Sequence, residues 1–236
     1  VLLPLVWRRR EEVLPPLRRP FPILLMGGSI LAAITTYVLA LDHLPIANTL
    51  ALSFVQPFFI VILSRLFLGE TVGLLRWLVL LVGFAAVLMI IRPAAEGFQA
   101  ASILPLLSGA CMAVYVITIR KGAGRMSALS ATFYTHVVAA SLAAPLAVVL
   151  WKEVGAAEWL LILELSAIGL AVQFLIIKAY ELGEASRIAP LGYVEMVGAI
   201  LAGWWFFNEF PDSVTIIGTL VLICCALMTI WQGRTK

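Results

Sequence analysis

Eight long apolar stretches, separated by short polar segments, dominate the chain. Each has roughly the 17–25 residues that a helix rising about 1.5 Å per residue needs to cross a bilayer. None shows the alternation of apolar and polar residues that is typical of a membrane strand. The pattern therefore predicts transmembrane helices at residues 22–41, 46–64, 74–91, 102–119, 128–150, 159–177, 189–207 and 214–231.

Composition agrees with a membrane protein. Of the 236 residues, 63% are hydrophobic and 12% are charged, whereas soluble domains have about 25% charged residues. Cys111, Cys224 and Cys225 lie inside apolar stretches and lack the spacing of a metal site. We therefore predict no metal and no cofactor. The lipid bilayer is the expected surrounding, and the scattered basic residues predict no nucleic-acid partner.

The basic residues predict the orientation. When the loops are assigned alternately to the two sides, fourteen of the sixteen lysines and arginines fall on one side, and only Arg92 and Lys152 fall on the other. Positive residues concentrate in cytoplasmic loops. We expect a multi-pass protein of the cytoplasmic (inner) membrane, with loops 8–19, 65–76, 120–127 and 178–188 and the C-terminus in the cytoplasm.

An internal repeat emerges when the chain is shifted against itself by 139 residues. Glu70 then falls on Glu209, and Gln56 falls on Glu195. The spans also superpose: 159–177 falls on 20–38, 189–207 on 50–68, and 214–231 on 75–92. The sequence therefore predicts two homologous copies, an incomplete first one at 1–92 and a second one of five helices at 101–232.

The same shift predicts what the first copy lacks. The counterpart of span 128–150 ends within the first residues of the chain, so we expect one helix and most of another to precede Val1 in the full protein. The full protein would be an all-α bundle of ten transmembrane helices, of which eight are complete here. Because five is odd, the second copy must enter the membrane from the opposite side, which makes the repeats inverted.

Residues 37–92 resemble the EamA-type family of the drug/metabolite transporter superfamily. The resemblance lies in an aromatic residue and Ala-Leu before a Pro-x-Ala step, a proline in the next helix, and Leu-Gly-Glu at its end. These residues are Tyr37, Ala40, Leu41, Pro45, Ala47, Pro57, Leu68, Gly69 and Glu70. The second copy repeats the pattern but has Asn208 where the family commonly has glycine. The resemblance implies inverted five-helix repeats around a central cavity, and transport of small metabolites, often outward.

We therefore expect a secondary transporter that works by alternating access, as an exporter or an exchanger of a small molecule. A proton is one candidate coupling ion. A truncated, non-transporting bundle or scaffold is the first alternative, and a membrane-embedded enzyme is the second. HExxH and GxSxG motifs are missing from the sequence, and no aspartate lies within any predicted span. We predict no catalytic residue. The sequence says nothing about the oligomeric state.

Glu195 is the principal candidate for substrate binding or coupling. A carboxylate inside a membrane span usually faces the bundle interior or an aqueous cavity. It could take up a proton, pair with a substrate amine, or bond to a neighbouring helix. The other candidates are polar or aromatic residues inside the spans, of which Gln56 is the repeat partner of Glu195. They are Gln56, Tyr37, Ser53, Ser108, Tyr115, Gln173 and Tyr193.

Five further residues have an expected structural role. Glu70 and Glu209 stand between spans, where a carboxylate can meet free amides at a helix start. Gly198 and Gly203 belong to small-residue pairs that favour close helix packing. Pro57 lies inside its span, where membrane helices tolerate proline because neighbouring groups satisfy the backbone that it frees.

Overall fold

The computed structural model is helical throughout the part of the chain that it describes, residues 20–44, 46–92, 99–122, 126–149, 155–207 and 211–234. The α-helices are α1 (Pro20–Leu41), α2 (Ile46–Ser53), α3 (Gln56–Phe67), α4 (Leu74–Ile91), α5 (Ile103–Gly122), α6 (Ala128–Val149), α7 (Ala156–Leu182), α8 (Ala185–Ile188), α9 (Val194–Phe207) and α10 (Ser213–Arg234). Segments Ala100–Ser102 and Ala189–Tyr193 are 3₁₀-helices.

Within those residues, eight helical stretches are long and apolar enough to cross a membrane, which confirms the predicted bundle. Helices α5 and α7 continue to Gly122 and Leu182, beyond the predicted ends at 119 and 177. Hydropathy marks the part of a helix that crosses hydrocarbon. Polar residues such as Arg120 and Lys178 can prolong the helix into the interface.

Large apolar side chains on the surface show what surrounds the protein. Leu165, Leu220 and Trp231 leave 69%, 57% and 64% of their surface uncovered. Exposing so many such groups to water would be unfavourable, whereas lipid tails accept them. The chain is an integral membrane protein.

The described residues form two compact units. The first comprises residues 20–32 and 114–183, in which α6 packs against α7. The second comprises residues 33–113 and 184–234. In the second unit α4 packs along α10, and the 3₁₀ segment Ala189–Tyr193 contacts α3, α4 and α10.

The buried faces of α4 and α10 correspond through the 139-residue shift. Val79, Gly83 and Ala86 are buried on α4. Their counterparts Gly218, Leu222 and Cys225 are buried on α10. The two helices therefore use equivalent positions to contact each other, as two copies of one sequence would across a two-fold axis.

An ion pair between Arg92 and Asp212 joins the end of α4 to the start of α10. Hydrogen bonds from the hydroxyl and amide of Thr215, and then from Arg92, lower the pKa of the Asp212 carboxyl from 3.8 to about 2. A lowered pKa means that the ionised carboxylate favours the folded state above about pH 4, and that this contribution is lost as the pH falls through about 2. We expect an NMR titration of the Asp212 carboxyl carbon to have its midpoint near 2.

Two variants test which hydrogen bonds lower the pKa of Asp212. Thr215→Val removes the hydroxyl donor and should raise the midpoint further than Arg92→Gln does. A midpoint at the ordinary value in the unaltered protein would contradict this assignment.

Candidate functional site

Two spans of the second unit are interrupted, one near its middle and one in its first half. In one, α2 ends at Ser53 and α3 begins at Gln56. Pro57 has no amide hydrogen, so it cannot donate to the Ser53 carbonyl as a continuous helix requires. In the other, the chain passes from α8 through Ala189–Tyr193 into α9. The predicted membrane span is present in each place, but the α-helix within it is not continuous.

The two interruptions occupy corresponding places. The shift of 139 residues carries Phe54 onto Tyr193 and Gln56 onto Glu195. The rings of Phe54 and Tyr193 contact each other, with centroids 6.0 Å apart and planes inclined by 39°. In membrane proteins with inverted repeats, matching interrupted helices mark the substrate or ion site. The geometry therefore places a candidate site where these two spans meet.

Tyr193 is fixed in this site on several sides. Its side chain is 1% exposed, and its hydroxyl donates to the Leu80 carbonyl at 3.4 Å. A Cβ added to Gly83 would lie only 2.6 Å from the Tyr193 ring, so α4 approaches the ring as closely as a glycine allows. The second interrupted span is thus anchored to α4 immediately before Glu195.

Two of the predicted residues take part in helix packing, and a third forms a hydrogen bond within its own helix. A Cβ on Gly109 would stand 3.3 Å from the Gln56 Cα, which brings α5 against the start of α3. Ser108 donates to the Ala33 carbonyl at 2.8 Å, and Ser53 donates to the Thr49 carbonyl at 2.8 Å. Both serine hydroxyls therefore donate to a backbone carbonyl, and each can only accept a hydrogen bond from a further group.

Glu195 has a different environment. It lies in the first turn of α9 with its side chain exposed. Among the residues that the structure describes, no hydrogen bond or ion pair reaches its carboxylate. Tyr37, half-buried, is near enough to feel its charge. A carboxylate within a membrane span usually faces the bundle interior or an aqueous cavity, so Glu195 is the strongest candidate to contact a charged ligand.

Tyr115 and Gln173 meet in the first unit, where the Gln173 amide donates to the Tyr115 hydroxyl. The hydroxyl of Thr135 is also beside Tyr115, but it makes no hydrogen bond of good geometry and is fully buried. Sequence reasoning missed Thr135, because threonine is common in membrane helices as a donor to its own helix. The other six substrate-site candidates lie in the second unit.

The residues with predicted structural roles have different environments in the structure. Glu70 accepts hydrogen bonds from the amides of Ala185 and Ser186, each at 2.9 Å, which are the first two residues of α8. A Cβ on Gly198 would meet no atom within 4 Å, so the described helices do not pack closely there as predicted. Glu209 and the surroundings of Gly203 lie outside the described residues.

Arg76 is a residue to which sequence reasoning gave no role. It lies at the start of α4, is 8% exposed, and donates to the Ser186 hydroxyl at 2.6 Å and to Glu184 at 3.0 Å. The one available signal was an arginine just inside an apolar span. Its partners are 108 and 110 residues away in sequence, so no local pattern could name them.

Comparison with protein families gives one match over nearly the whole chain. The model of the EamA-like transporter family matches residues 1–92 and 99–231. Several curated relatives align over most of their length. An S-adenosylmethionine uptake transporter of Rickettsia bellii is 31% identical over 99% of this chain and 80% of its own length. A pseudopaline exporter of Pseudomonas aeruginosa is 30% identical over 93% and 77%.

More distant similarities agree with these. A riboflavin transporter of Vibrio cholerae is 29% identical over 80% of this chain and 64% of its own length. A crystal structure of another protein superposes with a TM-score of 0.76, over 93% of this chain and 79% of that one, at 22% identity. A likeness at that identity shows a shared fold and no more.

Proposed function

Because the chain belongs to the EamA-like transporter family, whose named relatives are membrane transporters and not enzymes, we propose that it moves a small metabolite by alternating access. The substrate site lies where the two interrupted spans meet. The observation that carries this proposal is Glu195, an unpartnered carboxylate beside a break in one span and opposite a break in the other. Tyr37, Gln56 and Tyr193 complete the site.

The proposed architecture is two inverted five-helix repeats, at 1–92 and 101–232. The matching buried faces of α4 and α10 support it, as do the matching breaks at Phe54 and Tyr193. The excess of basic residues on one side supports a cytoplasmic position for the loops that carry Glu70 and Glu184. Two copies that exchange conformations would open the same site first to one side of the membrane and then to the other.

A cationic or amine-bearing metabolite suits the site best. Hydrogen bonds and ion pairs with a charged partner are the strong ones, and Glu195 is the charged group of the site without such a partner among the described residues. S-adenosylmethionine, which the Rickettsia relatives are named for taking up, carries a sulfonium and an ammonium group. It is therefore the first substrate to test. Relatives include both an uptake protein and an exporter, and exchange is compatible with either direction.

Purified protein in liposomes tests the proposal. We expect vesicles preloaded with unlabelled S-adenosylmethionine to accumulate the labelled compound, several-fold above protein-free vesicles. Riboflavin serves as an uncharged competitor and should inhibit little. If none of S-adenosylmethionine, riboflavin and a panel of amino acids exchanges, the non-transporting bundle becomes the better account of this chain.

A further inference from the structure

Four residues form a polar clamp on the second interrupted span. Glu70 and Arg76 come from the loop and helix start that follow the first interrupted span, and Glu184 and Ser186 stand at the start of the second. Glu70 accepts the amides of Ala185 and Ser186 at 2.9 Å. Arg76 donates to the Ser186 hydroxyl at 2.6 Å and to Glu184 at 3.0 Å, and to the Thr71 carbonyl at 3.2 Å.

The clamp is built for geometry more than for stability. Arg76 and Ser186 are almost completely buried, whereas the Glu184 side chain that pairs with Arg76 is 37% exposed, so this ion pair contributes little to stability. Both oxygens of Glu70 and both terminal nitrogens of Arg76 are engaged, so few other arrangements would satisfy them. Arg187 forms a further ion pair with Glu184 at 2.8 Å, which holds that carboxylate in place.

What the clamp holds is the first turn of the second interrupted span. Helix α8 has 4 residues, and it belongs to a helical stretch of 22 residues. It continues through the 3₁₀ segment Ala189–Tyr193 into the turn that carries Glu195. The position of Glu195 along the membrane normal therefore depends on where α8 begins.

The repeat does not reproduce the residues of the clamp at the equivalent place. The 139-residue shift replaces Arg76 by Thr215, Glu184 by Pro45 and Ser186 by Ala47, and those three residues cannot form an ion pair. The interrupted span that begins without these residues carries Gln56 at its break, and the span that the clamp holds carries Glu195. A charged clamp thus accompanies the charged site residue.

We propose that Glu70 and Arg76 are positioning residues for Glu195: from the first repeat, they fix the start of the second repeat's interrupted span and so set the depth of the site carboxylate. The assignment of Glu195 to the site rests on the proposed function. The contact between the clamp and the interrupted span does not, so the two can be tested separately.

A labelling experiment tests the clamp without any substrate. Gly192 lies in the 3₁₀ segment, and a Cβ there meets no atom within 4 Å. Gly192→Cys is placed in a background with Cys111, Cys224 and Cys225 replaced by alanine. The rate of its reaction with a water-soluble maleimide is then measured in folded, purified protein. Glu70→Gln and Arg76→Gln should each change that rate at least about five-fold, and Arg76→Lys, which keeps the charge, by less.

Arg65→Gln is the matched control, because it removes an exposed arginine from the last turn of α3. It should change the labelling rate of the Gly192→Cys protein by less than about two-fold. Equal rates in Arg65→Gln and in both clamp variants would overturn the proposal. If the clamp variants do not fold, Ser186→Ala removes a single donor-acceptor contact, and an unchanged rate in that variant would overturn it instead.

A transport measurement adds a second, independent readout. For any compound that the liposome experiment identifies, Arg76→Gln should raise the apparent KM several-fold with a smaller change in maximal rate, and Arg76→Lys should recover part of it. Altered labelling without any transport of a tested compound would leave the clamp standing and count against the proposed function. Unaltered labelling with normal transport would count against the clamp and leave the proposed function standing.

Discussion

Replacement of Glu195 by glutamine is expected to lower the transport of S-adenosylmethionine about ten-fold or more. Glutamine keeps the size of the side chain but cannot carry charge. A hydrogen bond to a charged group contributes about 1.5–3 kcal/mol, and each 1.4 kcal/mol corresponds to about a factor of ten in binding. The loss should appear chiefly as a raised apparent KM if Glu195 binds the substrate, measured as initial exchange rates in liposomes.

Glu164→Gln is the matched control for this variant. Glu164 is also an exposed carboxylate within a membrane span, but it lies on α7 in the other unit. We expect its replacement to leave exchange unchanged. Equal transport by Glu195→Gln and the unaltered protein would remove Glu195 from the site. If Glu195 carries a coupling proton instead, the variant should retain exchange but lose its acceleration by a pH gradient.

A second large effect is expected from Gly83→Ala. The added methyl group would lie 2.6 and 2.7 Å from the Cδ2 and Cε2 atoms of Tyr193. That ring cannot move aside freely, because it is buried against Phe54 and bonded to the Leu80 carbonyl. Overpacking of this kind costs about 1–3 kcal/mol. We therefore expect a lower Tm, and weaker transport because the displaced ring is two residues from Glu195.

Gly169→Ala provides the comparison. A Cβ at Gly169 meets no atom within 4 Å, and alanine favours helix over glycine by about 0.5–1 kcal/mol. The Tm should stay unchanged or rise slightly. Tyr193→Leu, added to Gly83→Ala, should recover part of the lost stability by making room for the methyl group. If Gly83→Ala and Gly169→Ala melt alike, the close contact between α4 and Tyr193 is not rigid.

The number of spans and their places could be predicted because both follow from one local property. A bilayer requires a continuous apolar length, and hydropathy records that length directly. The interruptions at Phe54 and within Ala189–Tyr193 escaped prediction for the same reason. A turn or a 3₁₀ segment can be as apolar as the α-helix around it, and a proline such as Pro57 also occurs in unbroken membrane helices.

The sequence suggests candidate members of the site but not the contacts that hold it together. Glu195 is conspicuous because a carboxylate in hydrocarbon is costly, and the repeat then points to Gln56. The partners of Glu70 and Arg76, by contrast, depend on how distant segments fold together. Glu70 looks like a cap for the next helix, whereas it binds amides more than a hundred residues later in the chain.

The seam between α4 and α10, the line along which these two helices pack, restricts how the second unit can change shape. Glycine and small side chains bring the two backbones together, with Ile90 lying against Gly218, and the pair of Arg92 and Asp212 ties one end of the seam. Sliding one helix past the other would break all of these contacts together. We therefore expect any rearrangement of this unit that accompanies transport to bend at the turn around Phe54 and at the 3₁₀ segment, with α4 and α10 as its stationary reference.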